Sequence, residues 1–458
     1  MYEFYAIAAN AYCDGTGIAM AMAPRLSLTG WVMIKKHQYS LTLKPIASRF
    51  LVGVLAGVVS LTTLGETVPS LSLTMQNAVS LTLENHPDLR VFVDQQAVIE
   101  GRRIQASTEQ RAQVSLMIED AMGTDNFSAL KSMQSTLTYS WILQQEQISS
   151  RIKAVDSEAS QLLNDKKVKA LDLSALTAKK FIEVLVSEEQ LRLNKLGVSQ
   201  AGELLSVINE RINAGKSSLV ERKLAEAELI RRELAVEDSE HEIAAAKYQL
   251  SALWGDAETD YSLSGDLSEI PMLPDTAQAI SSIRNNPQVS RFTTSQRIVE
   301  SQIENARIEA KPQWQLSAGV RRYESTDDFG LVAGVSIPWG RTDINAGKIA
   351  ALRAQQQVLA SEQASLMQQL DAQLFVLIQE MAHSGHVIHT IENRIIPTLD
   401  SALKEARHAF EKGQLSYTQW VQLQRELLNT QRQLVASYEA MHLQHIEIQR
   451  LTGTAFSQ

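Results

Sequence analysis

The sequence predicts a mainly α-helical chain written as two copies of one unit, each copy interrupted by a β-hairpin. The first observation behind this is a repeat. Asn85-His86-Pro87, followed by Glu100, Ala106, Gln113 and Leu116, recurs as Asn285-Asn286-Pro287, followed by Glu300, Ala306, Gln313 and Leu316, at a constant offset of about 200 residues. The second is that the far ends keep register: Gly215 precedes Leu253-Trp254-Gly255 by about 40 residues, as Gly413 precedes Leu451-Thr452-Gly453. The third is composition. The 458 residues include only 6% aromatics and 10 prolines, and Leu, Ala, Ser, Gln and Glu dominate, the vocabulary of long polar-faced helices with few stops.

The N-terminal stretch does not belong to either copy. Lys35, Lys36, Lys44 and Arg49 precede an apolar run over residues 50–64, which is followed by Gly65 and Glu66. This is the layout of a secretory signal peptide, expected over residues 33–65, with Met33 as the start and residues 1–32 as an upstream extension. The run is shorter than the roughly 20 apolar residues of a membrane-spanning helix. Cys13, the one cysteine, excludes an intramolecular disulfide and a Cys-rich metal site. A net charge of -9 with no basic stripe argues against nucleic acid as a partner.

The hairpins follow from a change of period. In the second copy, expected at residues 275–453, Lys311-Pro312 ends a helical run. Trp314, Leu316, Ala318 and Val320 then alternate with Gln315, Ser317, Gly319 and Arg321. After a turn at residues 324–328, Phe329, Leu331, Ala333, Val335, Ile337 and Trp339 share one face, and Gly330, Val332, Gly334, Ser336 and Pro338 the other. This places a hairpin at about 313–339. In the first copy, residues 71–255, the same interruption falls at about 113–143: Val114, Leu116 and Ile118, then Leu137, Tyr139, Trp141 and Leu143, with Gly123-Thr124-Asp125-Asn126 between.

Strands of about 10 residues are long enough to cross a bilayer when tilted, and Trp141, Trp314 and Trp339 sit where interfacial aromatics belong. A soluble amphipathic hairpin is the plain alternative. Four strands cannot close a sheet, so a membrane reading requires a barrel of eight, twelve or sixteen strands in a dimer, trimer or tetramer.

After each hairpin comes a helical stretch, residues 144–213 and 343–412, each about 100 Å long at 1.5 Å per residue. Shorter helices of about 50 Å return over residues 219–253 and 417–451. Other short segments, residues 71–110 and 275–310, precede the hairpins, so two short helices laid end to end can match each long one. Gly215 and Gly413 are expected as left-handed caps at the reversals, at about 213–218 and 411–416. Gly197 and Pro397 are expected to break the long helices, and residues 256–274, which lose the helical period, to link the copies.

With these residues in place the chain resembles the TolC-like outer-membrane efflux family. The resemblance rests on the short helix before Asn285-Asn286-Pro287, on Gly334-Val335-Ser336-Ile337-Pro338-Trp339, and on Gly347-Lys348-Ile349-Ala350-Ala351 opening the long helix. Ile396-Pro397 and Phe410-Glu411-Lys412-Gly413-Gln414-Leu415-Ser416 resemble its CzcC-like heavy-metal-efflux branch. The resemblance implies a homotrimer in the outer-membrane lipid, with a twelve-strand barrel continuing into a periplasmic tube of helices. It also implies docking onto a periplasmic adaptor (membrane fusion protein) and an inner-membrane pump, of the RND type in that branch. On it, Gly215, Lys216 and Ser217 and Gly413, Gln414 and Leu415 are the docking turns. Gln419 and Gln422 stand at the entrance constriction, where some relatives carry aspartates. The first hairpin departs from the family pattern, with Ser140-Trp141-Ile142-Leu143-Gln144-Gln145 in place of the Pro-Trp-Gly end.

No phosphate-cradling glycine loop, nucleophile elbow or His-Glu-x-x-His motif occurs, so neither an enzyme nor a cofactor is expected. The best metal candidates are His383, His386 and His389, spread by three-residue steps over about 120° of one helix, with His442 and His445 a second pair; solvated polar faces are the plain reading. The rival function is a periplasmic coiled-coil adaptor or scaffold, which would carry one helical hairpin between β-rich domains rather than two strand hairpins inside two helical copies.

Overall fold

The computed structural model describes residues 72–256, 260–340, 343–454 and 456. The expected signal peptide, the upstream extension and Cys13 lie outside the described residues. In chain order the elements are β1 (Ser72–Leu73), α1 (Met75–Asn85), α2 (Pro87–Ser107), β2 (Gln113–Glu119), β3 (Gln134–Ile142), α3 (Gln145–Asn213), α4 (Leu219–Ser251), β4 (Ser262–Leu263), α5 (Thr276–Ser282), α6 (Pro287–Glu309), β5 (Gln315–Tyr323), β6 (Asp328–Ser336), α7 (Ala346–Thr390), α8 (Ile396–Glu411) and α9 (Tyr417–Thr452).

The repeated Asn/His-Pro signature is a helix start. His86 Nδ1 and Asn286 Oδ1 accept from the backbone N–H of Asp88 and Gln288, at 3.1 and 2.7 Å, and proline follows at the first helical position, where its missing N–H costs nothing. In the second copy this start is locked to the end of α9, because the buried Asn286 side chain also donates to the carbonyls of Arg450 and Leu451, at 3.1 and 2.8 Å. Thus α9 and α6 meet end to end. In the first copy, α2 and α4 share α3. Arg102 pairs with Glu158 and Lys169 with Asp88 toward one end, and Asn194 donates to Ser239 toward the other, with the Thr177 hydroxyl on the Thr82 hydroxyl between them. The copies join through α3, which also packs on α6 and α9: Arg291 meets Asp165 at 3.0 Å and Lys179 meets Glu447 at 2.8 Å.

The 69-residue α3 is about 100 Å long. It runs unbroken through Gly197, where a break was expected. The glycine is a packing residue: a Cβ there would already touch Arg232 and Leu428 at 3.5 Å, so its absence lets two neighbouring helices approach the α3 backbone. The second long helix does break. A five-residue π turn at Ile391–Ile395 separates α7 from α8, two residues before Pro397, whose ring cannot accept the normal α ladder behind it.

One apolar cluster, with Phe181, Ile182, Leu193, Leu250, Ile283, Leu374, Ile378 and Met381 at its centre, joins α3, α4, α7 and the end of α9. The linker packs onto it. Leu263 pairs in parallel with Leu73, Gly265 lies against Leu185 and Phe181, and the Leu267 carbonyl bonds with His442 Nε2 at 3.0 Å. Among the described residues, no helix is long and apolar enough to cross a membrane.

Candidate functional site

The two hairpins form a single antiparallel sheet in the order β2-β3-β5-β6, because β3 of the first copy pairs with β5 of the second. Its register sorts the faces. Opposite partners Leu116 and Leu137, Leu137 and Val320, and Val320 and Leu331 run straight across all four strands, and Trp141, Leu316 and Val335 form a parallel row. This apolar face is uncovered: Leu331 is 91% exposed, and Val114, Leu116, Leu137, Tyr139, Phe329 and Val335 are all exposed. The opposite face is polar and tied across strands, for the Arg321 guanidinium bonds to Glu119, Gln134 and Thr136 at 2.9–3.1 Å.

Strand β6 ends at Ser336, so Ile337, Pro338 and Trp339 leave the sheet rather than extending it. Pro338 has no N–H for a ladder. Trp339 is fully exposed there, Trp314 precedes β5 and is half exposed, and Trp141 lies on β3 at the same sheet end, its ring 5.8 Å from that of Tyr139. All three expected interface tryptophans therefore gather at the end of the sheet that faces the helices. At the other end the short turn between β5 and β6 is polar, with Asp327 at φ 54, while the longer connection between β2 and β3 exposes Met122, Phe127 and Leu130.

The reversals at the ends of α3 and α8 share one construction. Gly215 and Gly413 have φ 70 and 79, and each begins a paired cap: Lys216 N–H donates to Arg211 O and Gly215 N–H to Ile212 O, as Gln414 N–H does to Ala409 O and Gly413 N–H to Phe410 O, all at 2.8–2.9 Å. Ser218 and Ser416 then open the return helices with capping boxes, closed by Glu221 and Gln419. Gly215, Lys216 and Ser217 and Gly413, Gln414 and Leu415 thus occupy equivalent places. The Gln419 carbonyl oxygen accepts from Ser416 N–H at 3.1 Å and from the Ser416 hydroxyl at 2.8 Å, leaving its amide N–H groups as the free end; Gln422 is exposed one turn on.

Behind the reversals lie two groups that no local pattern announces. Arg211 stacks on Phe410, 4.4 Å from the ring centroid, and donates to the carbonyls of Phe410, Glu411 and Lys216. Phe410 is buried against Trp420, with centroids 4.8 Å apart, in a small cluster with Leu204, Ile208, Tyr417 and Val421. Farther along, the Glu228 side chain is only 9% exposed and pairs with Arg425 at 2.6 Å and with Arg231 and Arg232 at 2.9 Å. Burial pushes its carboxyl up, but the hydrogen bonds and charges of Arg425 and Arg232 outweigh this and hold it below its usual value.

His383, His386 and His389 are exposed on α7, and among the described residues no three His, Cys, Asp or Glu side chains gather where they could hold a metal ion. His442 and His445 face inward. Burial pulls both imidazoles below their usual value, opposed at His442 by Leu267 O and Asp266.

The fold is that of known outer-membrane channels. The structure of CusC, described in terms of the conformational changes that accompany its folding and transmembrane channel formation, matches 84% of this chain and 93% of its own at a TM-score of 0.68 and 14% identity. The outer membrane protein VceC of Vibrio cholerae matches 84% of this chain and 97% of its own, with a TM-score of 0.64 and 15% identity. In sequence, the cobalt-zinc-cadmium resistance protein CzcC of Cupriavidus metallidurans is 25% identical over 259 residues, 56% of this chain. The match spans 62% of that relative's length. No sequence-family profile matches the chain.

Proposed function

We propose that this chain, which has the fold of the TolC-like outer-membrane channels, is the outer-membrane duct of a tripartite efflux system. The observation that carries the reading is the two-faced sheet. A sheet with Leu116, Leu137, Val320, Leu331 and Val335 uncovered on one side and the Arg321–Glu119 pair on the other suits lipid outside and water inside. Its edges, β2 and β6, carry unpaired backbone groups that hydrocarbon does not tolerate. Three copies would close them into a twelve-strand barrel. The helices then continue the lumen into the periplasm, with the reversals at residues 213–218 and 411–416 ringing its far mouth.

The chain acts as a passive conduit. Substrate is delivered by a periplasmic adaptor and an inner-membrane pump, which dock at Gly215, Lys216, Ser217, Gly413, Gln414 and Leu415, and Gln419 and Gln422 line the entrance. The relation to the cobalt-zinc-cadmium resistance protein CzcC points to divalent metal ions as the class of substrate, and the family resemblance to a pump of the RND type. Deleting the gene should sensitise cells to the metals its pump exports, and the wild-type chain should restore resistance. Unchanged sensitivity toward every substrate of the partner pump would overturn the reading.

A further inference from the structure

At the helix-facing end of the sheet a cleft of about 810 Å³ opens between the end of α6 and the segment leading into α7. Its walls are Pro312, Trp314, Ile337, Pro338, Trp339 and Ile344, and its mouth carries Glu309 and Lys311. We propose that this cleft holds one acyl chain of a zwitterionic glycerophospholipid, whose headgroup rests among the ion pairs at the mouth. The inference rests on the barrel reading, since only then does the cleft meet lipid.

Three features favour this occupant. The cleft is continuous with the uncovered apolar face, because Ile337 and Trp339 follow β6 directly and Trp314 precedes β5. Its size is that of small-ligand sites rather than of a chance surface dimple. At the mouth, Lys348 pairs with Glu309 at 2.8 Å and Lys311 pairs with Glu146, so cations and carboxylates are balanced. A headgroup with one phosphate and one ammonium can exchange partners with such pairs, whereas an anionic headgroup would leave a carboxylate facing a phosphate. Tryptophans at this level have an amphipathic ring suited to the region between headgroup and chain.

The test uses the purified oligomer in phosphatidylglycerol vesicles doped with either brominated-chain phosphatidylethanolamine or brominated-chain phosphatidylglycerol. Bromines quench a tryptophan they touch, and the Trp339→Phe and Trp141→Phe variants isolate the two contributions by difference. Trp141, on the open apolar face, reports general lipid contact. The expected result is that the Trp339 contribution is half quenched at a roughly threefold lower mole fraction of phosphatidylethanolamine than of phosphatidylglycerol, with no such preference at Trp141. Ile344→Glu, which puts a carboxylate in the apolar wall, should abolish the preference, and Ile344→Leu should keep it. Equal curves for both lipids at both tryptophans would overturn the site and leave the barrel intact. Quenching of Trp141 without Trp339 would mean that another copy of the chain covers the cleft, which also overturns it. Quenching at neither position would remove the barrel reading itself.

Discussion

The Arg211 guanidinium lies 4.4 Å from the centre of the Phe410 ring and donates to the Phe410 carbonyl, fastening the end of the first long helix to the end of the second. These residues stand 199 positions apart, one in each copy. The two reversals are therefore joined, and whatever moves one must move the other or break this contact.

Arg211→Ala should loosen the joint without unfolding the chain. A cation over an aromatic ring contributes about 0.5–2 kcal/mol, and the carbonyls of Phe410, Glu411 and Lys216 would lose a charged donor. Trypsin should then cleave after Lys216 or Lys412 several-fold faster in the assembled oligomer, with the sheet unaffected. Unchanged cleavage would show that the joint does not restrain the reversals.

Replacing Gly215 and Gly413 by valine tests the reversals as docking turns. Both hold left-handed backbone, which costs a β-branched residue about 1–3 kcal/mol. Open space around both glycines means that conformation alone is at stake. The double variant should reach the outer membrane and insert normally but show reduced cross-linking to its adaptor and reduced export. Full export with normal cross-linking would remove these turns from the docking site.

Much of this was legible in the sequence because period and punctuation are local. The switch from helical spacing to alternation at Trp314 located a hairpin, and Gly215 and Gly413 located the reversals where the paired caps form. What was not legible depends on distant partners. No local pattern says that β3 pairs with β5, that Glu228 meets Arg425, or that Arg211 lies on Phe410. Gly197 was misread for the same reason: an isolated glycine suggests a break until Arg232 and Leu428 are seen packed against it. The π turn at Ile391–Ile395 left only Pro397 as its trace.

Glu228→Gln should destabilise the helical part near neutral pH, because removing the buried charge leaves Arg232 and Arg425 without their partner; breaking such a pair costs about 3–5 kcal/mol when fully buried, and less here, where Arg425 is half exposed. The carboxyl's folded pKa is depressed, so the stability it contributes is complete above its unfolded value and is lost as pH falls toward the folded one. The difference in melting temperature between wild type and Glu228→Gln should therefore shrink below about pH 4.5. A difference independent of pH would mean that the charge is not what stabilises the site.

Asp327 lies in the short turn at the end of the sheet opposite the tryptophans and is exposed. If the sheet spans the outer membrane, Asp327→Cys should react with an impermeant thiol reagent on whole cells. Reaction only after lysis would invert the topology.

The central claim, that the four strands of one chain close with those of two others in the outer membrane, is tested most directly by fractionation with cross-linking in intact envelopes. The account predicts a trimer in the outer-membrane fraction that resists dissociation on heating, because each sheet has two edges that only other copies can satisfy. A monomer, or recovery of the chain in the soluble periplasmic fraction, would contradict it.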